Sequence, residues 1–393
     1  MREGWVYKKL GDVATLINGD RGKNYPSTDD FINVGVPFIN AGHIQNGVVD
    51  FSEMNYISEQ KFDSLRSGKV NKGDILFCLR GSLGKSALVN IDYGAIASSL
   101  VIIRPHSDNS HFIQYYIQSN KVKELIQKNN NGSSQPNLSA TSVASFSIPV
   151  PPLSEQQRIV SELDLLSSII EKKKAQLKEY DQLAQSIFYD MFGDPVSNEK
   201  GWEVKSMGEL FDIGSSKRVF ESQWKKEGVP FYRAREIVRF EKNEQIESPI
   251  FISEELFQEY ANKYGVPSEG DIMVTAVGTL GVCYIVKKSD RFYFKDGNIL
   301  WFKSKGLCET RFIKDQDATP YVVNQIQGNA NAAVVGTYTI TNAKKTKVII
   351  PPLTLQNEYV KKIEAIEKQK SLIQQSITEA ETLFDSRMDF WFS

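Results

Sequence analysis

The amino-acid sequence repeats itself at a spacing of about 200 residues, and this duplication constrains the fold more than any other feature. A repeat of that length is far too long for a solenoid and is typical of a duplicated domain. Several separate blocks recur in the same order, which is not expected by chance. They are Trp5 with Trp202, Gly35–Ala41 with Gly228–Ala234, Gly73–Ile75 with Gly270–Ile272, Gly81–Gly84 with Gly278–Gly281, and Ile148–Leu153 with Val348–Leu353.

Each copy is composed of two parts. The first is rich in Gly, Asn and Ser turns between short apolar runs such as Ile75–Phe77, which predicts a mixed α/β globule with a substantial sheet. A Pro-Pro pair then precedes a long helical pattern. We therefore expect similar globules at residues 1–150 and 194–350, and long helices at residues 151–193 and 351–393.

The two helical segments carry apolar residues at alternating spacings of three and four, the pattern of a coiled coil. Each helix should contain about 38 residues and measure about 57 Å. We expect the two to pair antiparallel, giving approximate two-fold symmetry; the alternative is two separate helices, each lying on its own globule. Ser154 with Gln157 predicts a capping box at the first helix. The predicted pairing residues are Leu163, Leu166, Ile170, Leu177, Tyr180, Ile187, Ile363, Ile366, Ile373, Ile377 and Phe384.

Composition places the chain among globular proteins, with 41% hydrophobic and 24% charged residues. The three cysteines are too few and too scattered for a disulfide framework, which fits a reducing compartment. No apolar signal segment follows Met1, and no apolar run is long enough to span a bilayer. These features predict a cytoplasmic protein.

Charge becomes informative when it is divided by segment. The total is -1, which by itself gives no support for a nucleic-acid partner. Residues 1–150 hold 15 basic and 13 acidic residues, and residues 194–350 hold 22 and 21. Each helical segment holds 5 basic and 7 acidic residues. A polyanion should therefore prefer the globules to the helices.

Signals for catalysis are weak. The segment Gly81–Ser86 resembles a phosphate-binding loop, but Leu79 stands where that motif needs glycine. The chain has no Gly-x-Ser-x-Gly elbow, and its histidines and cysteines lack metal-ligand spacing. We expect no catalytic centre and no bound metal; a self-contained nucleotide-dependent enzyme that uses Gly81–Ser86 is the alternative.

Signals for DNA binding are better. Arg, Lys, Asn, Gln and Ser beside glycines suit close approach to phosphates and hydrogen bonding to base edges. Eight basic residues also fall within Lys217–Lys242. The candidate DNA-binding residues are Arg21, Lys23, Asn40, His43, Arg80, Ser82, Lys85, Asn131, Ser133, Ser134, Gln135, Lys217, Arg218, Arg233, Arg235, Thr279, Asn329 and Asn331.

The two copies share a frame but differ in the polar residues set into it. Asn40 corresponds to Arg233, Arg80 to Val277, and Lys85 to Val282. If both copies bind DNA, they should read different sequences, and the target should be asymmetric and in two parts.

With these residues in view, the whole chain resembles the specificity (S) subunit of type I restriction-modification systems. The resemblance rests on Pro151–Val160, on the helix end Phe188–Asp194, on the two Trp openings, and on Gly-Asp-Ile before each glycine loop. The second copy departs from the pattern at Leu355, where the first has Glu155, and at Val277.

The resemblance implies two target-recognition domains, each reading half of a bipartite site in double-stranded DNA. It implies that the helix pair sets the spacer and docks two modification subunits, which methylate adenine with S-adenosylmethionine. Restriction subunits can join them. The S subunit itself would bind no cofactor, contact no membrane and perform no chemistry. A coiled-coil scaffold unrelated to DNA is a further alternative.

Overall fold

The structure is a computed structural model that describes residues 4–129, 137–242, 244, 246, 249–328 and 336–393. The chain divides into two compact units. Unit 1 comprises Met1–Gln176 together with Ile373–Ser393, and unit 2 comprises Leu177–Leu372.

Unit 1 holds most of its strands in two sheets. Its strands are β1 Val6–Lys9, β2 Ala14–Asn18, β3 Phe31–Ile32, β4 Val36–Ile39, β5 Ile44–Gln45, β6 Val48–Val49, β7 Asn55–Ile57, β8 Ile75–Cys78, β9 Ser86–Leu88, β10 Ala95–Ile96, β11 Leu100–Pro105 and β12 Ser147–Val150. Its helices are α1 Leu10–Val13, α2 Glu59–Ser64, α3 Ser110–Gln118, α4 Asn120–Asn129, α5 Ala140–Ala144 and the first part of α6 Leu153–Phe192. Short 3₁₀ turns lie at Thr28–Asp30 and Ala41–His43.

The larger sheet of unit 1 has the order β2-β11-β8-β9-β6-β5, and the smaller has the order β10-β4-β7-β3. Strands β8 and β11 are buried on both faces because apolar residues occupy nearly every position. Since side chains alternate across a strand, Ile75 and Phe77 pack into one core, whereas Leu76 and Cys78 pack into another. The sheet thus lies between two apolar layers.

Unit 2 follows the same order of elements with fewer strands. They are β13 Glu203–Ser206, β14 Phe211–Gly214, β15 Val229–Tyr232, β16 Phe251–Ile252, β17 Ile272–Thr275, β18 Cys283–Ile285, β19 Tyr293–Phe294, β20 Ile299–Ser304 and β21 Lys347–Ile350. Its helices are α7 Met207–Leu210, α8 Ala234–Glu241, α9 Glu254–Tyr264, α10 Thr310–Asp317, α11 Pro320–Gly328, α12 Ile340–Lys345 and the first part of α13 Leu353–Phe392, with a 3₁₀ turn at Glu221–Gln223.

The sheets of unit 2 match those of unit 1 in plan. The order β14-β20-β17-β18 corresponds to β2-β11-β8-β9, and β16-β15-β19 corresponds to the smaller sheet. In the described part of unit 2, helix α8 follows β15 where the hairpin β5–β6 follows β4 in unit 1. The predicted fold of two similar mixed α/β globules with two long helices is confirmed.

Helices α6 and α13 contain 40 residues each, close to the 38 predicted from the sequence. Within unit 1, Glu162 pairs with Arg387, and Lys174 pairs with Glu381 at 2.9 Å. Because the partner number falls as the first number rises, the two segments run antiparallel there. Within unit 2, Asp181 pairs with Lys370, and the Phe188 ring contacts Tyr359 farther along, so the direction is the same.

The predicted helix-pairing residues are all buried or half-buried. Several of them serve the globule cores as well as the helix pair. Leu163 and Phe384 join the core of unit 1, and Ile363 and Ile366 join the core of unit 2. The heptad pattern therefore identifies the buried face, and the globules share that face with the partner helix.

Aromatic residues at the ends of the long helices fill the globule cores. In unit 1 the Trp391 ring stacks on Trp5 with centroids 6.1 Å apart. In unit 2 the Phe192 ring lies 4.8 Å from Phe312. These residues fasten each helix end to a globule.

The long helices begin differently from the prediction. Helix α6 starts at Leu153, directly after the Pro pair, so Ser154 lies inside the helix and the predicted capping box is wrong. The start is held by Gln156, whose buried side chain donates to the Pro151 carbonyl at 2.9 Å. Gln356 does the same at Pro351, at 2.7 Å. The Pro-Pro-Leu-x-x-Gln motif therefore fixes the point at which each long helix begins.

Candidate nucleic-acid interface

Four loops of unit 1 meet at one edge, and we call residues 18–24, 40–43, 79–85 and 97–99 rim 1. They follow strands β2, β4, β8 and β10. The Ala97 amide donates to the Ile39 carbonyl at 2.8 Å, and the Leu79 amide donates to the Ser99 carbonyl at 2.8 Å. Rim 1 thus brings together candidates that are up to about 65 residues apart in the sequence.

The first loop of rim 1 presents Arg21 and Lys23 as exposed side chains on an anchored backbone. Buried Asp20 provides the anchor, because it accepts hydrogen bonds from the amides of Arg66 and Gly22, each at 2.7 Å. These amides hold the pKa of Asp20 below its ordinary value, so it stays ionised. Arg21 also donates weakly to the Ser98 carbonyl at 3.4 Å.

The second loop contains Asn40 and His43, and the structure contradicts the prediction for His43. The backbone amide of Asn40 donates to His43 Nδ1 at 3.1 Å, and His43 Nε2 lies 3.1 Å from the Glu53 carbonyl. The imidazole is 7% exposed and uses both nitrogens inside the fold. Asn40 is half-buried, and its side-chain oxygen accepts from the Gly42 amide at 2.7 Å. The side-chain nitrogen of Asn40, Nδ2, is the atom of this loop that suits contact with a DNA base.

The third loop is a tight hairpin turn between β8 and β9. Arg80, Ser82 and Lys85 are exposed on it. Gly81 and Gly84 have φ near +75° and +81°, a conformation that favours glycine. Because the loop joins two antiparallel strands rather than a strand and a helix, it cannot cradle a nucleotide as a phosphate loop does. Gly81–Ser86, the motif on which the alternative of a nucleotide-dependent enzyme rests, is therefore not a phosphate-binding loop.

Unit 2 has the corresponding edge, and we call residues 215–218, 233–235, 276–282 and 295–298 rim 2. The Lys295 amide donates to the Tyr232 carbonyl at 2.8 Å, and the Ala276 amide donates to the Asn298 carbonyl at 2.9 Å. These two bonds are the counterparts of the two that assemble rim 1. The duplicated scaffold therefore repeats at the level of single backbone bonds.

Rim 2 carries exposed Lys217 and Arg218 in the loop that follows β14. The Lys217 amide donates to the Tyr293 hydroxyl at 3.0 Å, which fixes the loop. Arg218 pairs with Asp296 at 2.9 Å while its side chain stays 66% exposed. Such an exposed pair is weak and can exchange its carboxylate for a DNA phosphate.

Arg233 and Arg235 surround a buried acid. Arg233 donates to Glu236 through Nη2 at 2.8 Å and through Nε at 3.2 Å, and Arg235 Nε donates to the same carboxylate at 2.6 Å. Burial would raise the pKa of Glu236, but the bonds from both arginines outweigh it and lower that pKa. The Arg233 side chain is 18% exposed, whereas that of Arg235 is 56% exposed. Arg235 is therefore better placed to contact DNA than Arg233.

The glycine loop of rim 2 has the same backbone turn as that of rim 1 but few polar groups. Thr279 is exposed, while Val277 and Val282 are half-buried. The Thr275 hydroxyl donates to the Thr279 carbonyl and stiffens the turn.

Some candidates lie outside the described residues, namely Asn131, Ser133, Ser134, Gln135, Asn329 and Asn331. Conversely, Ser98, Ser99, Lys295 and Asn298 belong to the rims and were not predicted. Each follows a two-residue strand, β10 or β19, that pairs in parallel with the longer β4 or β15. The polar break after a short apolar run, just before the central strand, is the signal that could have indicated them.

The described ranges contain no cluster of three or more His, Cys, Asp or Glu side chains that could hold a metal ion. Within the same ranges, no helix is both long enough and apolar enough to cross a bilayer.

Comparison with known proteins agrees with this geometry. The model of the type I restriction modification DNA specificity domain matches residues 2–179 and again residues 199–382. A putative type I restriction enzyme specificity subunit of Haemophilus influenzae is 25% identical over 92% of this chain and 87% of its own length. The type I restriction enzyme StySPI specificity subunit of Salmonella potsdam is 24% identical over 98% and 86%.

Two solved structures share the fold. One is a chain from a study of complex assembly and conformational transition of the type I R-M system, with a TM-score of 0.63 and 17% identity. It covers 99% of this chain and 97% of that chain. The other is an S subunit from M. genitalium, with a TM-score of 0.54 and 14% identity over 99% and 96%.

Two matches of one family model cover most of the sequence, once in each half. The chain therefore belongs to the type I restriction modification DNA specificity family, and it is a specificity subunit, the non-catalytic DNA-recognition component of such a system. Double-stranded DNA and modification subunits are the partners that this role implies.

Proposed function

We propose that rim 1 and rim 2 each read one half of an asymmetric, bipartite site in double-stranded DNA. The observation that carries this proposal is that the rims share their backbone frame and differ in the side chains on it. Gly42 corresponds to Arg235, and Arg80 to Val277. Two readers with different donors select two different half-sites.

The chemistry of the rims suits the major groove of DNA. Arginine can bond guanine in a bidentate manner, and asparagine can bond adenine in the same way. We assign base reading to the side chains of Arg80 and Arg235 and to the side-chain amide of Asn40. Lys23, Lys217 and Arg218, which are exposed beside them, suit phosphate contact, which positions the protein without reading sequence.

We assign residues 1–150 and 194–350 as the target-recognition domains, and residues 151–193 and 351–393 as the segments that set the distance between half-sites. Helices of 40 residues measure about 60 Å, enough to place two readers about one helical turn of DNA, roughly 34–36 Å, apart. The exposed faces of these helices would dock two modification subunits.

The rest of the reaction belongs to other chains. S-adenosylmethionine would be held by the modification subunits, which methylate adenine, and restriction or translocase subunits can join the complex. Such a system works on DNA in the cytoplasm.

The test is to map methylated sites in DNA from cells that express this chain with its modification subunit. We expect one asymmetric sequence made of two short half-sites with a fixed spacer. Inserting one heptad into residues 163–191 and one into 363–391 should lengthen the spacer and leave the half-sites unchanged. An unchanged spacer would disprove the role given to the helices, and a continuous target would disprove the two-reader proposal.

A further inference from the structure

A cleft of about 620 Å³ lies beside rim 1 and has no assigned role. One wall is the turn between β5 and β6, at Asn46 and Gly47, and a second is the end of the glycine loop, at Gly84 and Lys85. Helices α3 and α4 form the third wall through Gln118 and Lys123. The cleft therefore opens where the loop carrying Arg80 and Ser82 ends.

The walls of the cleft approach each other closely at two glycines. A Cβ atom on Gly47 would lie 2.8 Å from Gln118 Nε2, and one on Gly84 would lie 2.7 Å from Ile126 Cδ1. Both glycines also have φ near +80°, which side chains rarely adopt. Glycine at these positions lets Gln118 and Ile126 pack directly on the two turns, which fixes the shape of the cleft.

The charge of the cleft is wholly positive. Lys85 and Lys123 are exposed on different walls, and no acidic residue is among its described lining residues. The Lys123 ammonium bonds the side-chain oxygen of Asn120 at 3.0 Å, which leaves donors available. Within the part of the chain that the structure describes, neither lysine has a carboxylate partner. Two such ammonium groups, in a cleft that also offers the polar side chains of Asn46, Ser86 and Gln118, suit an anion.

Unit 2 has the same turn without the charges. Gly281 lies against Ile326 as Gly84 lies against Ile126, with a Cβ–Cδ1 distance of 2.9 Å. By this correspondence Val282 replaces Lys85, Val323 replaces Lys123, and Ala318 replaces Gln118. The lysines are therefore a property of one copy and are not required by the shared scaffold.

We infer that this cleft binds a phosphate of the DNA backbone beside the first half-site, with Lys85 and Lys123 as its ligands. The inference rests on the proposed function of rim 1. It assigns Lys85 to phosphate rather than to a base, and it adds Lys123, which sequence reasoning missed. Unit 2 must contact the DNA backbone through other residues. The two readers therefore differ in the salt dependence of their DNA affinity as well as in sequence preference.

The test measures DNA binding by the complex of this chain with its modification subunits across a range of salt concentrations. In Lys85→Ala plus Lys123→Ala, one lost phosphate contact should reduce the slope of log affinity against log salt by about 1. The corresponding loss of affinity is about 5–10-fold at about 0.1 M salt. The methylated sequence should stay the same, because phosphate contacts carry no sequence information.

Two controls isolate the effect. Lys85→Arg plus Lys123→Arg keeps both charges and should keep the slope. Val282→Ala plus Val323→Ala makes the matched truncation in unit 2 and should leave the slope unchanged.

An unaltered slope in the double alanine variant would overturn the inference, and so would a changed first half-site. Inorganic phosphate is used as a second probe. If phosphate raises the melting temperature of the wild type but not of the double alanine variant, while both give the same slope of log DNA affinity against log salt, the cleft binds free anions and the inference fails. If even the wild-type complex binds no DNA specifically, the proposed function itself has failed.

Discussion

The turn after β4 and the turn after β15 have the same backbone and opposite chemistry. In both, the amide of the first residue donates to the side chain three positions later: Asn40 to His43 at 3.1 Å, and Arg233 to Glu236 at 2.8 Å. The His43 imidazole is satisfied by hydrogen bonds to the backbone, whereas the buried Glu236 carboxylate needs a counter-ion. Arg233 and Arg235 supply it. Basic residues that resemble DNA-binding residues in the sequence can therefore have the primary role of neutralising a buried acid.

The largest expected effect follows from that difference. Replacing both arginines, Arg233→Ala plus Arg235→Ala, should lower the free energy of unfolding of unit 2 by about 3–5 kcal/mol, because the buried Glu236 charge then loses all three of its arginine hydrogen bonds. Asn40→Ala removes one capping hydrogen bond in unit 1 and should cost about 1 kcal/mol. Urea unfolding followed by fluorescence would measure both. Adding Glu236→Gln to that double variant should recover stability; if it does not, the pairing is not the cause.

A second difference lies beneath the glycine loops, where Asp317 of unit 2 takes the place of Ile117 in unit 1. One Asp317 oxygen accepts from the Cys283 thiol at 3.2 Å, and the other has no hydrogen-bond partner among the described residues. Burial raises the pKa of Asp317 to about 7. Burial also raises the pKa of Cys283, so the thiol keeps its proton.

The sign of the resulting pH dependence is unusual for a carboxylate. The folded protein keeps a proton that the unfolded chain releases above about pH 4, so the stability contributed by neutral Asp317 is full below about pH 4 and is lost as the pH rises through about 7. Asp317→Asn should therefore stabilise unit 2 by up to about 4 kcal/mol at about pH 8 and by almost nothing at about pH 4. Thermal unfolding at the two pH values would measure this. A gain of equal size at both would show that the carboxyl does not titrate in the fold.

The difference between Arg80 and Val277 predicts an effect confined to one half-site. Arg80→Val should cost about 1–3 kcal/mol of DNA binding and relax the first half-site only. Methylation-site mapping with the variant would reveal which half changes. Relaxation of both half-sites would mean that the two rims do not act independently.

The smallest effect concerns the exposed pair of Arg218 and Asp296. Arg218→Ala should change the free energy of unfolding by less than about 1 kcal/mol, since exposed ion pairs contribute little. It should nevertheless weaken DNA binding, and this combination distinguishes Arg218 from Arg233, whose loss acts on the fold first. Parallel denaturation and DNA-binding titrations would separate the two cases.

The sequence predicts the large-scale plan well because duplication and heptad spacing are regular patterns. It does not predict which acids and bases are buried. Asp317 and Glu236 look like many surface acids, and only three-dimensional packing shows that they are enclosed. Likewise, the heptad pattern marks one helix face as buried but cannot say that Phe384 packs on Tyr115 of a globule, with ring centroids 6.1 Å apart.

The rims were predicted only in part for a related reason. Their loops meet through bonds such as Ala97 to Ile39, between residues 58 positions apart, which no short-range pattern encodes. The candidate list therefore found the exposed ends, Arg21, Lys23 and Arg80, and missed the connecting segment at Ser98. It included His43 because residue type alone cannot show that both ring nitrogens are occupied.

The core of unit 1 has a consequence for the order in which the protein folds. Trp391 and Phe392 complete that core, yet the ribosome makes them more than two hundred residues after Phe112 and Tyr116, on which Phe392 packs. Unit 2 draws on one continuous stretch, Leu177–Leu372. The apolar core of the first globule is therefore completed only after residues 373–393 have been made. The amino-terminal unit, which in most proteins folds first during translation, is thus the one that depends on the most distant segment of the sequence.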